Sequence, residues 1–202
     1  MKGVLLLNGE PYTGEIDCEN ALVYCCDGAY LWAKDKARID KNIGDFDSLD
    51  IVPEPAPEEV YPAEKDFTDG EIALRKLIGA GADDIAIYGG FGRRADHFTG
   101  NLQLLYFAYM QGVKAKMVDE DAEVFVSDGR ICFTGLKGKT ISVFPFGGSS
   151  HIIGSEGLKY SYPEALNYGE CRGISNIVEK DDAYLDVQEG DAVLVFVNKG
   201  EV

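Results

Sequence analysis

Asp84-Ile85-Ala86-Ile87-Tyr88-Gly89-Gly90-Phe91-Gly92-Arg93-Arg94-Ala95-Asp96-His97 is the stretch whose reading decides the fold. A short apolar run ends in a glycine-rich turn, and the turn opens a long helical segment, Asp96 to Gln111, carrying Leu102, Leu105, Phe107 and Met110. Upstream the same alternation repeats. Gly3 to Leu7 and Ala21 to Cys26 are apolar runs closed by Asn8-Gly9-Glu10-Pro11 and Asp27-Gly28. A helix is expected over Ala29 to Ala37, then a short strand into Gly44. After a Pro- and Glu-rich connection over 52–62, with a brief strand near Val60-Tyr61, Thr68 to Glu71 has the form of a capping box. It opens a helix with Ala73, Leu74, Leu77 and Ile78 as its apolar face, stopped at Gly79 to Gly81. Strand alternating with helix predicts a parallel α/β sheet, in which ligands sit beyond the carboxyl ends of the strands.

From Val113 onward the pattern changes to short strands with turn signals: Lys114 to Val118, Ala122 to Val126, Ile131 to Thr134, Lys139 to Phe144, Glu156 to Tyr160, Asp182 to Val187 and Ala192 to Val197. The expected organisation is α/β over 1–125, followed by an all-β sandwich domain over 126–202, with the boundary between Asp119 and Gly129. Formal charge excludes some partners. With 35 acidic against 19 basic residues and a net charge of −16, the surface does not suit nucleic acid or an anionic membrane. The five cysteines, Cys18, Cys25, Cys26, Cys132 and Cys171, have no zinc-like spacing and are expected as reduced thiols in a cytosol, Cys25 and Cys26 in the core. No apolar run reaches about 18 residues, so neither membrane span nor signal peptide is expected, and a cytoplasmic location is the default.

Three charged motifs fall at predicted strand ends or helix starts: Gly44-Asp45-Phe46-Asp47-Ser48, Glu64-Lys65-Asp66-Phe67-Thr68-Asp69 and Gly92-Arg93-Arg94-Ala95-Asp96-His97. Two carboxylates two residues apart after a glycine can aim their oxygens at one hard cation, for which magnesium is the natural choice. Each motif also has a plainer structural reading. Asp45 and Asp47 suit a turn, Thr68 and Glu71 a helix cap, Asp96 an N-cap, and Arg93 and Arg94 a solvated pair. Two arginines in a glycine-rich turn of an acidic protein are, equally, where phosphate clamps belong. The residue types exclude other chemistries: no GxxxxGK[ST] loop, no completed GxGxxG, two histidines only, and no GxSxG elbow.

Asp27-Gly28, Gly44 to Ser48, Lys65-Asp66 with Thr68-Asp69, and Gly90 to Asn101 with Arg94, Asp96, His97 and Asn101 together resemble the thiamine pyrophosphokinase family over the whole chain. The resemblance implies transfer of the pyrophosphoryl group of ATP to the hydroxyl of thiamine, giving thiamine diphosphate and AMP. It implies magnesium held by Asp45, Asp47 and Asp69, with Asp27, Asp66 and Asp96 around nucleotide and metal. Arg94 is then a phosphate contact, with hydroxyl contacts from Ser48 and Thr68 and further nucleotide contacts from Lys65, His97 and Asn101. In the β-rich half, Ser175-Asn176 resembles the family's Ser-Asn motif beside thiamine, although Gly173-Ile174 before it and Ile177 after it depart from the usual pattern. The family works as a homodimer with thiamine bound between subunits. A cluster of carboxylates of this size suits a cationic substrate and repels itself without metal.

Overall fold

The computed structural model describes residues 1–46, 49–57, 60 and 66–200. They form two compact units, Met1–Glu120 and Asp121–Val202. The first contains β1 (Lys2–Leu6), β2 (Ala21–Cys26), a 3-10 turn over Asp27–Ala29 leading into α1 (Tyr30–Ala33), and β3 (Lys41–Ile43). It continues through α2 (Asp69–Gly79), β4 (Asp84–Tyr88), α3 (Ala95–Met110) and β5 (Lys114–Val118). Its strands are all parallel, in the order β5-β4-β1-β2-β3.

The apolar runs are nearly unbroken because both faces of this sheet are covered. On β1, Val4 and Leu6 pack with Val23, Cys25, Ala29, Tyr30 and Ala33 on one face. A Cβ on Gly3 would stand 3.5 Å from Leu77, so the alternate β1 positions face α2. Leu5, Leu74, Leu77, Ile85, Ile87, Leu105 and Met117 are all essentially inaccessible. Cys25 and Cys26 are core residues as expected, and burial pushes the Cys25 thiol up. All five cysteines are free thiols.

Two helices differ in detail from the sequence reading. The segment from Ala29 stops after one turn, because the N–H groups of Lys36 and Ala37 both bond back to the Ala33 carbonyl and the charged Lys34 to Lys36 turn away. In α3 the buried positions are Leu104, Leu105 and Ala108, whereas Met110 is exposed. The brief strand expected at Val60-Tyr61 reaches outside the described residues.

The second unit is antiparallel. Its strands are β6 (Ala122–Ser127), β7 (Arg130–Cys132), β8 (Thr140–Pro145), β9 (Ser150–Glu156), β10 (Ala165–Leu166), β11 (Asn176–Ile177), β12 (Tyr184–Val187) and β13 (Val193–Asn198). One layer runs β11-β8-β13-β6 and the other β10-β9-β12-β7. Val193, Val195 and Val197 alternate inward from β13 to meet Ile141 and Val143 of β8, Leu185 and Val187 of β12, and Ile131 of β7. The strand expected at Glu156 to Tyr160 lies earlier, at Ser150–Glu156, because Gly157 adopts φ +73° and ends it. A parallel α/β sheet with a second, antiparallel β unit is thus the fold class that the sequence pattern predicts.

Leu5→Ala, at an inaccessible position on the central strand, is expected to lower unfolding free energy by about 2–5 kcal/mol in urea titration. Leu31→Ala, at a position 56% exposed, is expected to change it by less than ~0.5 kcal/mol.

Candidate active site

Because the first sheet is parallel, every strand ends at the same edge, and the charged motifs collect there. Asn8 follows β1, Asp27 follows β2, Gly44-Asp45 follows β3, and the Gly89 to Asp96 turn follows β4. The connections of β1 and β4 leave in opposite directions, so these two neighbours define the switch point where such sheets open a crevice. Their pairing continues beyond the strands themselves. The N–H groups of Leu7, Gly9 and Glu10 donate to the carbonyls of Tyr88 (2.9 Å), Gly89 (2.7 Å) and Phe91 (2.7 Å). A Cβ on Gly9 would lie 2.3 Å from the Gly89 carbonyl oxygen, and one on Gly89 would lie 2.2 Å from that of Leu7. Only glycines allow the two loops to run this close together.

Asp27 sits at φ +42° and accepts a hydrogen bond on Oδ1 from the Phe46 N–H at 3.1 Å, while Phe46 itself is at φ +57°. Gly44 lets the two loops touch, since a Cβ there would meet the Asp27 side chain at 3.0 Å. Asp27 and Asp45 are therefore neighbours on adjoining strand ends, both half-buried. Left-handed backbone at non-glycine residues costs about 1–2 kcal/mol each, and such residues cluster at functional sites. Asp47, Ser48 and Lys65 lie outside the described residues.

Thr68 is the N-cap of α2, its hydroxyl accepting from the Glu71 N–H at 3.2 Å. Glu71 does not close a reciprocal box but forms a forked pair with Arg75 at 3.0 and 2.8 Å. A Cβ on Gly70 would meet Leu7 at 3.1 Å, so the first turn of α2, with Asp69 as its first residue, starts beside the end of β1. Asp66 is exposed just before it.

Asp96 is not an N-cap. Arg94 holds that position without a side-chain cap bond, and Asp96 lies in the first turn of α3. Its carboxylate accepts from Arg94 Nε at 3.1 Å and from a terminal Arg94 nitrogen at 2.6 Å, and also from the His97 N–H at 3.0 Å. The guanidinium holds the Asp96 carboxyl well below the usual range, at about 2. Exposed His97 follows, and Asn101 donates to the Gly90 carbonyl at 2.8 Å, fixing the glycine-rich turn to α3.

In the second unit, Asn176 is buried and fully engaged. Its carbonyl accepts from the N–H groups of Tyr160 (3.0 Å) and Ile177 (2.9 Å), and its amide donates to the Tyr160 carbonyl at 2.7 Å. Exposed Ser175, at φ +58°, donates its N–H to the Ser142 hydroxyl at 3.0 Å. Gly173 has no room for a side chain, since a Cβ would fall 1.7 Å from the Val143 carbonyl oxygen. Ser175-Asn176 is thereby a rigid corner that presents Tyr160, 55% exposed, to solvent. Burial pushes the nearby Tyr162 hydroxyl up to about 12.

The carboxylates at the edge of the first unit, Asp27, Asp45, Asp69 and Asp96, are oxygen donors of the kind that suits a hard divalent cation. Among the described residues no three His, Cys, Asp or Glu side chains form a metal cage on their own.

Residues 16–117 match the model of the thiamin pyrophosphokinase catalytic domain, and residues 128–191 match that of the thiamin pyrophosphokinase vitamin B1 binding domain. The chain belongs to the thiamin pyrophosphokinase family. A thiamine pyrophosphokinase from Bacillus subtilis (strain 168) is 36% identical over 142 residues, an alignment spanning 66% of either chain. The fold agrees with solved thiamin pyrophosphokinases. The crystal structure of the Bacillus subtilis protein superposes with a TM-score of 0.84 at 23% identity, covering 100% of both chains. That from Geobacillus thermodenitrificans gives 0.82 at 24% identity, over 100% of this chain and 98% of the other. The protein from Candida albicans gives 0.73 at 15% identity, over 98% and 89%.

Two groups of the first unit escaped the sequence reading. Asn8 was legible only as part of an Asn-Gly turn, yet it reaches Arg93. Glu120, directly after β5, accepts on one carboxylate oxygen from the Thr13 hydroxyl at 2.6 Å and from its N–H, tying down the loop after β1.

The Arg94–Asp96 pair predicts a titration. A depressed carboxyl contributes stability above its unfolded value near 3.8, and the contribution is lost as pH falls through about 2. NMR titration of the Asp96 side chain is expected to give a midpoint near 2, returning toward the ordinary value in Arg94→Gln. An unchanged midpoint in that variant would remove Arg94 as the cause.

Proposed function

We propose that this chain transfers the pyrophosphoryl group of ATP to the hydroxyl of thiamine, yielding thiamine diphosphate and AMP in a magnesium-dependent reaction. The observation that carries the reading is the convergence of the acidic motifs on one sheet edge within the residues that match the family's catalytic domain. Asp45, Asp47 and Asp69 are the proposed magnesium ligands, with Asp27 and Asp66 beside them. The metal supplies neutralisation of phosphate charge when bound.

The rest falls to the chain. The crevice between β1 and β4 receives the polyphosphate, and the N-terminus of α2, with the Thr68 hydroxyl, adds N–H groups and dipole toward anionic oxygens. Ser48, Lys65, His97 and Asn101 complete the proposed nucleotide surroundings. Asn101 acts through the Gly90 turn it holds. Asp96, kept ionised by Arg94, fixes that arginine's fork at the start of α3 rather than serving as a base at neutral pH. Attack on phosphorus through a loose transition state needs placement and charge compensation more than covalent help, and this edge is equipped for both. Thiamine carries a fixed positive charge, which an acidic surface attracts. In the second unit, Asn176 is proposed to act by holding Tyr160, and Ser175 by its exposed hydroxyl, at the thiamine. We further propose a homodimer working in the cytoplasm.

Asp45→Asn and Asp47→Asn are expected to lower kcat by about 100-fold or more while melting within about 2 °C of wild type, because removing one of several crowded carboxylates relieves repulsion. Magnesium with ATP should raise the melting temperature of wild type and not of the variants. Full turnover in both variants would overturn the proposed roles.

A further inference from the structure

Arg93 stands out at the switch point. It is an arginine at φ +51°, directly after Gly92 at φ +69°, in a conformation where glycine would sit without strain. Its guanidinium donates to the Asn8 Oδ1 at 3.1 Å, across the switch point between the ends of β1 and β4. Asn8 is itself wedged in place. A Cβ on Gly28 would lie 2.3 Å from the Asn8 amide nitrogen, so this side chain rests on the backbone next to Asp27. The continued pairing of the two loops fixes both backbones, through the Gly9–Gly89 and Glu10–Phe91 hydrogen bonds. One asparagine thus joins three strand ends.

The two adjacent arginines are used differently. Arg94 has spent its Nε and one terminal nitrogen on Asp96. Arg93 has no carboxylate partner among the described residues, and one neutral acceptor satisfies one of its five donors. In a protein of net charge −16, an arginine with no carboxylate partner among the described residues keeps its charge for an anion. Its strain would be relieved by glycine, so the side chain is retained at a cost to the backbone.

We infer that Arg93, held by Asn8 at the β1–β4 switch point, binds the polyphosphate of a nucleoside triphosphate, and that Asn8 is its positioning residue. The inference rests on the nucleotide-binding reading above and adds a second arginine to it. Arg93 then makes the open charge contact, and Arg94 the one already balanced by Asp96. Because a bidentate fork is needed to grip phosphate oxygens, lysine replaces Arg93 only in part.

The test uses Arg93→Gly, which relaxes the left-handed backbone and so is expected to melt at or near the wild-type temperature. Binding of α,β-methylene-ATP with magnesium is measured by calorimetry, beside steady-state kinetics. Arg93→Gly is expected to weaken analogue binding and raise KM for ATP by about tenfold or more, with KM for thiamine unchanged. Arg93→Lys should recover part of the loss. Asn8→Ala should show a smaller loss in the same parameter and add little to Arg93→Gly, as expected for a residue acting through another. Wild-type binding of the analogue matched by Arg93→Gly would overturn this inference and leave the proposed reaction standing. A wild type that binds no analogue would overturn both.

Discussion

Everything at the acidic edge depends on how closely two loops can run after their strands end. Strands β1 and β4 lie side by side with parallel sense, and their ladder persists through Gly9 and Glu10 opposite Gly89 and Phe91. Any side chain at Gly9 or Gly89 would collide with a carbonyl oxygen of the other loop. This constraint fixes the turn that carries Arg93, Arg94 and Asp96, and it sets the start of α3, to which Asn101 ties the Gly90 carbonyl. It also places Asn8 on Gly28, and so links the turn to Asp27 and, through Phe46, to Asp45. Asp27, Asp45 and Asp96 come from separate parts of the chain, yet contacts between their loops locate them.

Electrostatics follow from that arrangement. Carboxylates from several strand ends share one edge of a protein that is strongly negative overall. Arg94 neutralises Asp96, and Arg75 neutralises Glu71 while stacking on Phe107 at 4.2 Å. Asp27 accepts from the Phe46 N–H. A surface so poised favours metal ions and cationic molecules and admits phosphates only where metal, helix N-termini or an open arginine meet them.

Much of this was legible in the sequence, because parallel sheets bury both faces and so write themselves as apolar runs followed by turn residues. β1, β2 and β4 are read off in that way, and α2 is announced by Thr68. What was not legible depended on backbone geometry. The left-handed conformations of Asp27, Phe46 and Arg93 carry no signature in residue type, and the reach of Asn8 to a residue 85 positions away is visible only in the fold. The displaced strand β9 was hidden by its own glycine and serine content, and two-residue strands such as β10 and β11 are too short for any periodicity. Asn176 carried a motif but not its job, since only packing reveals that each of its polar atoms is already engaged.

The central claim concerns which bond of the nucleotide is broken. Phosphorus NMR of the protein with ATP, magnesium and thiamine, beside a control without thiamine, reads this directly. The account predicts AMP and thiamine diphosphate appearing together, in equal amounts, and only when thiamine is present. ADP with thiamine monophosphate, or free phosphate released without thiamine, would contradict it.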